Sequence, residues 1–231
     1  MTRVMGKPLL GHLLDRLFYC QKFDDIVVAT SIQEENDVIE QYCLKRGIVV
    51  YRGSEEDVLK RLLEALTRRK AEIGVLIFGD GPVITPEVID HAVGIFQSKP
   101  EYDFVGNDLS SMWPAGMEVE VFKVSALADS AGRCQDPAIR EHGTLFIRSH
   151  PEFYKLYEFD PSSITGRPDL SFEVDEEGDL VTIRAILSQF AGRADASLTE
   201  IITFMDTKPE LTVATQNIKR RWKKHRIALS H

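Results

Sequence analysis

The chain has 231 residues, 43% of them hydrophobic, so it can bury a substantial core as one domain or as one domain with a small appendage. Its net charge of −8 argues against general nucleic-acid binding, which needs a broad basic surface. No apolar run approaches the roughly 20 residues that span a bilayer, and residues 1–8 lack the long apolar region of a secretory signal, so we expect no membrane partner.

Helix and strand patterns alternate through the first half of the chain. Helical spacing predicts helices over 9–18, 34–45 and from 58, the last behind a start signature at 54–57, and another from Pro86. Short apolar runs predict strands at 26–29, 48–51 and 75–78. Strands this apolar, separated by helices, predict a parallel sheet covered on both faces in a doubly wound α/β fold.

The pattern changes after residue 98. We predict a strand at 102–107, a loop through 112–116, and a half-exposed strand at 118–122 whose alternation would suit an antiparallel partner. Helices are predicted near 125–133, over 139–148 and from Asp179, and a C-terminal appendage begins in 198–205. We therefore expect one main domain over 1–205 and a basic tail or helix over 206–231.

The tail differs in charge from the rest of the chain. Residues 217–226 hold six Lys or Arg and no acid, which leaves 22 basic and 36 acidic residues elsewhere, a net charge of −14. A basic helix of this kind is most often a solvated face or a clamp on an acidic partner subunit, and a nucleic-acid or membrane tail is the alternative.

Cysteine usage indicates the redox setting. The chain has three cysteines, widely spaced and odd in number. This pattern argues against a disulfide framework or a CxxC metal site, so we expect a reducing, cytoplasmic setting.

Two acidic segments carry the chemistry. Asp80 stands in the sequence Gly-Asp-Gly-Pro, which alone is typical of a turn, but the apolar strand before it would place the carboxylate at the carboxyl edge of the sheet, where ligands bind. Strand alternation would put Glu173 and Asp175 on one face, which is costly unless a cation compensates them. We interpret Glu176, Glu177 and Asp179 as the acidic start of the next helix.

Residues typical of covalent catalysis are not arranged in a recognisable order. His142 follows Arg140 and Glu141, and a lone histidine here is more often a hydrogen-bonding or capping residue than a base. Neither a Ser/His/Asp order nor a Cys/His pair stands out in the sequence, so we do not expect a covalent mechanism.

Several segments in this order resemble a known family: 6–10, 26–31, 51–59, 79–82, 114–122, 140–142 and 175–180. They are similar to the spore-coat polysaccharide biosynthesis cytidylyltransferases, a branch of the acylneuraminate and 3-deoxy-manno-octulosonate (KDO) cytidylyltransferase superfamily. The resemblance runs from Gly6 to about Met205, and the ordered set of motifs is far more specific than any single one.

The resemblance implies a Rossmann-like, glycosyltransferase-A-type nucleotidyltransferase, a three-layer sandwich with a mixed, mostly parallel sheet. It implies transfer of CMP from CTP to an acidic sugar, a nonulosonic or octulosonic acid, for surface polysaccharide biosynthesis, with release of pyrophosphate and with Mg²⁺ as cofactor. It also implies a homodimer, because 118–122 and the helices after it resemble the family's dimerisation region.

The resemblance assigns roles residue by residue. Asp80 and Asp175 would be the catalytic, metal-holding carboxylates, with Glu173 as a third acid. The nucleotide would lie near Arg3, Lys7, Arg52, Gly53, Ser54 and Gly79. The sugar pocket would be lined by Asn107, Pro114, Gly116, Glu118, Glu120, Glu141 and His142, with Glu118 where the family often has Asp.

Two departures from the family pattern bear on the site. Family members begin with an apolar strand, normally central to the sheet, and a loop of the form R-x-x-S-x-R-x-x-x-K. Residues 1–7 either lie downstream of that loop or are a stub of it, in which Arg3 and Lys7 match the spacing. In both cases the first strand is expected to be missing from residues 1–231. Gly81 stands where the family usually has a larger residue.

Two alternative functions remain open. The chain could be a non-catalytic relative used for binding or regulation, or a nucleotide-sugar glycosyltransferase. The sequence does not specify which sugar acid is used.

Overall fold

Helices and short strands alternate along the chain in a computed structural model that describes residues 1–110, 112–162 and 164–216. The basic stretch predicted at 217–226 lies outside the described residues. None of the described helices combines the length and apolar character that crossing a bilayer requires.

The elements are numbered in chain order. The strands are β1 (Arg3–Val4), β2 (Lys7–Pro8), β3 (Val27–Ser31), β4 (Val49–Gly53), β5 (Ile73–Leu76), β6 (Phe104–Gly106), β7 (Glu120–Lys123) and β8 (Leu156–Glu158). The helices are α1 (Leu9–Leu17), α2 (Asp37–Lys45), α3 (Val58–Arg68), α4 (Pro86–Ser98), α5 (Val124–Arg133), α6 (Pro137–Arg140), α7 (Leu145–Ser149), α8 (Asp179–Gln189), α9 (Leu198–Asp206) and α10 (Pro209–Gln216).

The larger sheet is mixed and has the strand order β5-β7-β6-β8. The strand β7 pairs antiparallel with both β5 and β6, so that Glu120 lies opposite Leu76 on one side and Gly106 on the other. The strands β6 and β8 are parallel. A second sheet consists of the parallel pair β3 and β4, and β1 and β2 form a short hairpin. The predicted mixed α/β fold is confirmed.

Helices cover the sheet on both faces and form two separate hydrophobic cores. Because successive side chains of a strand point to opposite faces, Val105 and Val121 belong to one core, and Phe104 and Phe122 belong to the other. The helices α1, α4, α8 and α9 contribute to the first core, and α3, α5 and α7 to the second. The protein is therefore the predicted three-layer sandwich.

The two sheets are separated by a cavity of about 2180 Å³. It lies between β3 and β5, and one end of it reaches Asp80 and the acidic residues around it. Among the described residues, β3 and β5 are not paired with each other, and no third strand lies between them and pairs with both. The gap therefore joins the interior of the sheet to the candidate site.

The prediction of a half-exposed strand at 118–122 is wrong, although its antiparallel pairing is confirmed. Val119 and Glu120 are fully buried, because β7 lies between two strands and is covered by helices on both faces. The acids and valines that alternate in 118–122 lie in two different environments inside the protein, a polar one for the acids and an apolar one for the valines.

Two other predicted elements differ from the structure. The helix predicted over 139–148 is two helices, α6 and α7, because Gly143 between them adopts a left-handed backbone with φ +63°. The segment 170–175 forms no ladder strand; an isolated parallel bridge joins Ser171 to Ala115. Strand alternation therefore does not govern the acids at 173 and 175.

Helix α9 begins with a capping box, and its acid makes a testable contribution to acid stability. Glu200 accepts hydrogen bonds from Arg193 and from the backbone and hydroxyl of Ser197, which together lower its pKa from 4.5 to about 2. A depressed carboxyl pKa stabilises the fold above pH 4.5, and that contribution is lost as the pH falls through about 2. We expect Glu200→Gln to flatten the dependence of unfolding free energy on pH between 4.5 and 2, measured by urea titration at each pH. An unchanged slope would contradict this.

Candidate active site

A backbone hydrogen bond joins the two acidic segments that the sequence singled out. The chain leaves β5 at Leu76 and turns at Gly79 and Asp80. The N–H of Val174 donates to the carbonyl oxygen of Asp80 at 2.9 Å. Asp80 and Asp175 are therefore close in the fold although 95 positions separate them, as the carboxyl-edge argument predicted.

Close backbone packing holds this junction in place. The N–H of Phe172 donates to the Ala115 carbonyl at 2.7 Å, and the N–H of Ala115 donates to the Leu170 carbonyl at 3.2 Å. Gly116 has a φ of +88°, and a Cβ there would lie 2.7 Å from the backbone of Phe172. A Cβ on Gly81 would lie 2.8 Å from the Gly116 carbonyl oxygen. Gly81, which departs from the family pattern, thus permits a close approach of two backbones.

Gly81→Ala tests this close approach. The added Cβ must displace the Gly116 carbonyl, so we expect the free energy of unfolding to fall by about 1–3 kcal/mol. Gly132→Ala is the matched control, because Gly132 lies within α5 and a Cβ there meets no atom within 4 Å. The control should raise stability by up to about 1 kcal/mol through helix propensity. Equal shifts of both variants in thermal unfolding would contradict the packing argument.

The interpretation of Asp179 as the start of a helix is confirmed. Its Oδ2 accepts the N–H groups of Asp175 and Glu176, each at 3.0 Å, and Asp179 is the first residue of α8. It is 1% exposed. This buried carboxylate fixes the turn that carries Asp175.

One end of the cavity collects about half of the predicted site residues on its wall. Those residues are Gly79, Asp80, Glu118, Glu141, His142, Glu173 and Asp175. Asp108 and Arg148 line the same end of the cavity and were not predicted. Carboxylates outnumber basic side chains here, so the local field favours a bound cation.

The predicted metal-holding acids do not form a finished metal site. In the part of the chain that the structure describes, no group of three or more His, Cys, Asp or Glu side chains is close enough to hold an ion. Glu173 is buried, 6% exposed, whereas Asp175 is exposed. The expectation that Glu173 and Asp175 share one face of a strand is therefore wrong, because the segment is not a ladder strand.

A buried ionic network lies beneath this end of the cavity. Arg148 donates through Nη1 to Asp108, and the same nitrogen lies 3.6 Å from Glu120. The hydroxyl of Thr144 donates to the other oxygen of Glu120. Burial raises the pKa of Glu120, and the nearby Asp108 raises it further. Burial acts to lower the pKa of Arg148, but the surrounding acids raise it overall.

The sequence missed this network because its members are far apart in the chain. Arg148 is 40 positions from Asp108 and 28 from Glu120, and it comes near the end of a segment predicted as a continuous helix. An acid directly after the buried strand β6, as Asp108 nearly is, was the available signal.

Glu118 lies between the network and the acidic segments. Its Oε2 accepts the N–H of Gly116 at 2.7 Å. Burial raises its pKa to about 7, and Glu173 and Asp108 contribute in the same direction. A carboxyl group with this pKa exchanges protons near neutral pH.

Three residues that are predicted to line the sugar pocket stabilise the backbone around Glu118. Asn107 donates through its amide to the Met117 carbonyl and accepts the N–H of Val119, both at 2.8 Å, and it is 1% exposed. The carbonyl of Pro114 accepts the N–H of Met117, and Gly116 makes the close approach described above. These residues hold the loop that positions Glu118.

The residues at the end of β4 that are predicted to lie near the nucleotide contact neighbouring parts of the protein. Arg52 pairs with Asp37 and Glu40 at 2.8 and 2.7 Å. Gly53 ends β4, and Ser54 accepts the N–H of Asp57 through its hydroxyl at 3.0 Å, which supports the start of α3.

The predicted N-terminal nucleotide residues belong to the hairpin. Arg3 donates to the Gly6 carbonyl at 2.8 Å, and Lys7 forms an ion pair with Asp15 of α1. Their nucleotide roles, like those of the β4 end, stay predictions.

Comparison with known proteins identifies the family. A family model described as cytidylyltransferase matches residues 1–201. The spore coat polysaccharide biosynthesis protein SpsF of Bacillus subtilis is 32% identical over 223 residues, which are 90% of this chain and 91% of that protein. A cytidylyltransferase structure from Leptospira borgpetersenii is 25% identical, with a TM-score of 0.87 over 94% of this chain and 90% of that one.

More distant structures share the fold. The CMP:2-keto-3-deoxy-manno-octonic acid synthetase complexed with CTP has a TM-score of 0.61 at 15% identity, over 81% of this chain and 90% of that one. A Mycobacterium tuberculosis protein solved with manganese has a TM-score of 0.55 at 16% identity, over 80% of this chain and 90% of that one. The family model and the Bacillus subtilis relative confirm the predicted cytidylyltransferase-like protein. The chain belongs to the cytidylyltransferase family.

Proposed function

We propose that this protein transfers CMP from CTP to an acidic sugar and releases pyrophosphate, using a divalent cation at Asp80 and Asp175. The observation that carries the proposal is the hydrogen bond between Val174 and the Asp80 carbonyl, which brings two separate acidic segments to one end of one cavity. The family membership supports CTP as the nucleotide.

The donor set suits a hard cation that binds together with its substrate. Mg²⁺ is usually held by one or two protein carboxylates plus substrate phosphates, so a preassembled group of three side chains is not required. Asp80 and Asp175 supply two carboxylates on the cavity wall, and Glu173 is the third candidate acid. When bound, the cation would neutralise triphosphate charge and the charge that develops on the leaving pyrophosphate.

The protein's own groups would orient the acceptor. Glu118, Glu141 and His142 line the same end of the cavity as Asp80. Glu118, with its pKa near 7, could accept the proton of the sugar hydroxyl that attacks the α-phosphate. Correct positioning of that hydroxyl supplies a large part of the rate, since the two reactants then meet in one geometry.

Pyrophosphate release tests the proposal. The purified chain is incubated with CTP, a panel of nonulosonic and octulosonic acids, and either Mg²⁺ or Mn²⁺, with EDTA and with ATP in place of CTP as controls. We expect release with CTP and one sugar acid only when the metal is present. If CTP is neither turned over nor bound in calorimetry with any acid, the chain is the non-catalytic relative; transfer from a nucleotide-sugar donor would instead indicate a glycosyltransferase.

We also infer a homodimer, but the structure changes which residues are expected to form its interface. Residues 119–122 are buried inside the sheet, so a dimer contact would have to use the helices after them, starting with α5. Light scattering at micromolar concentration should give twice the 26.1 kDa mass of one chain. A monomer mass would exclude the dimer without affecting the catalytic proposal.

A further inference from the structure

Two residues on the wall of the candidate site, Glu141 and His142, directly follow the short helix α6. This helix has four residues, each of which is exposed or only partly buried. A helix of one turn is not stable by itself in water, so contacts with other elements must hold it in place. The placement of Glu141 and His142 therefore depends on what anchors α6.

The last residue of α6, Arg140, joins it to two other helices. Its Nη1 donates to the carbonyl oxygens of Ala131 and Cys134 at the end of α5, at 3.0 and 2.8 Å. Its Nε and Nη2 both donate to Oδ2 of Asp57, at 3.0 and 2.8 Å. The side chain of Arg140 is 18% exposed, so water screens this ion pair only in part.

Asp57 uses its two carboxylate oxygens for two different contacts. Oδ1 accepts the N–H of Lys60 at 2.9 Å and caps α3, whereas Oδ2 binds Arg140. The N–H of Asp57 donates to the Ser54 hydroxyl at 3.0 Å. Burial acts to raise the pKa of Asp57, but Arg140 and the N–H of Lys60 lower it overall. One charged residue therefore joins α6 to the segment 52–54, which is predicted to lie near the nucleotide.

Helix α3 supports both segments at other points as well. A Cβ on Gly143, just after His142, would lie 2.8 Å from the side chain of Leu62 in α3. The neighbouring Arg61 donates to the carbonyl oxygens of Ser54 and Glu55, at 2.6 and 3.1 Å. The segments 52–55 and 140–143 are thus held against the same helix.

We propose that Arg140 is a positioning residue for the acceptor, which acts through Asp57 to fix Glu141 and His142 relative to residues 52–54. The inference rests on the proposed function, because it takes Glu141 and His142 as acceptor-binding residues. Without the ion pair α6 can shift, and the acceptor hydroxyl then reaches the attacking geometry less often. Ser54 keeps its contacts with Arg61 and with the N–H of Asp57, so CTP binding should change little.

Two substitutions break the ion pair from opposite sides. Arg140→Met removes the guanidinium and keeps most of the apolar stem. Asp57→Asn removes the charge and keeps an oxygen that can cap α3. Arg167→Met is the matched control, because Arg167 also pairs with carboxylates, those of Asp169 and Asp206, in a region that does not contribute to the described wall of the cavity.

Steady-state kinetics and calorimetry separate the acceptor from the nucleotide. We expect KM for the sugar acid to rise at least about tenfold in Arg140→Met and Asp57→Asn, while the Kd of CTP stays within about twofold. The double variant should be no worse than Arg140→Met, because both changes break the same contact. In the chain without ligands, amide exchange at 141–144 should be at least about threefold faster in both variants.

The outcomes distinguish this role from the proposed function. The role is refuted if KM for the sugar acid or amide exchange at 141–144 is unchanged in Arg140→Met. It is also refuted if CTP affinity falls by the same factor, or if Arg167→Met has the same effect. A wild-type chain that is inactive with every sugar acid refutes the proposed function, and this role with it. An active wild-type chain with an unchanged KM in both variants refutes the role alone.

Discussion

Asp80→Asn should lower CTP-dependent pyrophosphate release at least about a hundredfold, a loss of roughly 2.7 kcal/mol of transition-state stabilisation. The amide keeps the size of the carboxylate but removes the charge that would hold the cation and, with it, the nucleotide phosphates. The turn should keep its backbone geometry, because the hydrogen bond that locates it uses the Asp80 carbonyl and the amide of asparagine has the same size as the carboxylate. Steady-state rates with unchanged thermal melting would check both expectations.

Asp175→Asn should lose activity similarly, and Glu177→Gln provides the matched control. Glu177 lies on the same acidic segment and is exposed, but the proposed chemistry gives it no role. Part of the loss in the aspartate variants should be recovered at higher metal concentration. Full activity in Asp80→Asn, or an equal loss in Glu177→Gln, would rule out these carboxylates as the metal ligands.

Arg148→Met should lower the free energy of unfolding by about 3–5 kcal/mol. The guanidinium contacts Asp108 and lies near Glu120, which is fully buried, so its removal leaves carboxylates without their cation in a poorly solvated place. Methionine retains most of the apolar stem, so the change reports on charge more than on volume. Urea denaturation at pH 7 measures the effect.

Arg133→Met is the control for this substitution. Arg133 pairs with Asp129 on the surface of α5, and its side chain is 47% exposed against 16% for Arg148. Screening by water makes such a pair weak, so the control should leave stability nearly unchanged. The loss in Arg148→Met should grow as the pH rises through about 8, the raised pKa of Glu120, because the carboxyl group then gives up its proton with no cation beside it. Comparable losses in the two variants would show that the network is not the cause.

Sequence reasoning found the elements whose signals are local. The apolar stripe of α3 and its Asp57 cap are recognisable from residues that are close together in the sequence, and the structure has both. The prediction that β7 is half exposed was wrong. Alternating polarity cannot distinguish a strand face that meets solvent from a buried face whose acids pair with a buried cation. The break at Gly143 was missed because the apolar spacing continues on both sides of it.

The site was predictable to the same extent. The order of the motifs brought out Asp80 and Asp175, which the fold places next to each other through main-chain contacts. It did not reveal Arg148, because the partners of a buried charge are determined by the packing of distant elements and not by spacing along the chain. The amide of Asn107 holds the loop before β7, a contact that the sequence did not reveal, and the sugar role assigned to Asn107 stays a prediction.

The junction between Val174 and Asp80 has an evolutionary consequence. Both atoms of that hydrogen bond belong to the main chain, so no substitution other than proline at position 174 removes the donor. The acids on either side can be exchanged by single mutations while the separation of the two segments is inherited unchanged. A lineage with this junction can therefore explore new metals and new acceptors without first having to rebuild the scaffold that presents them.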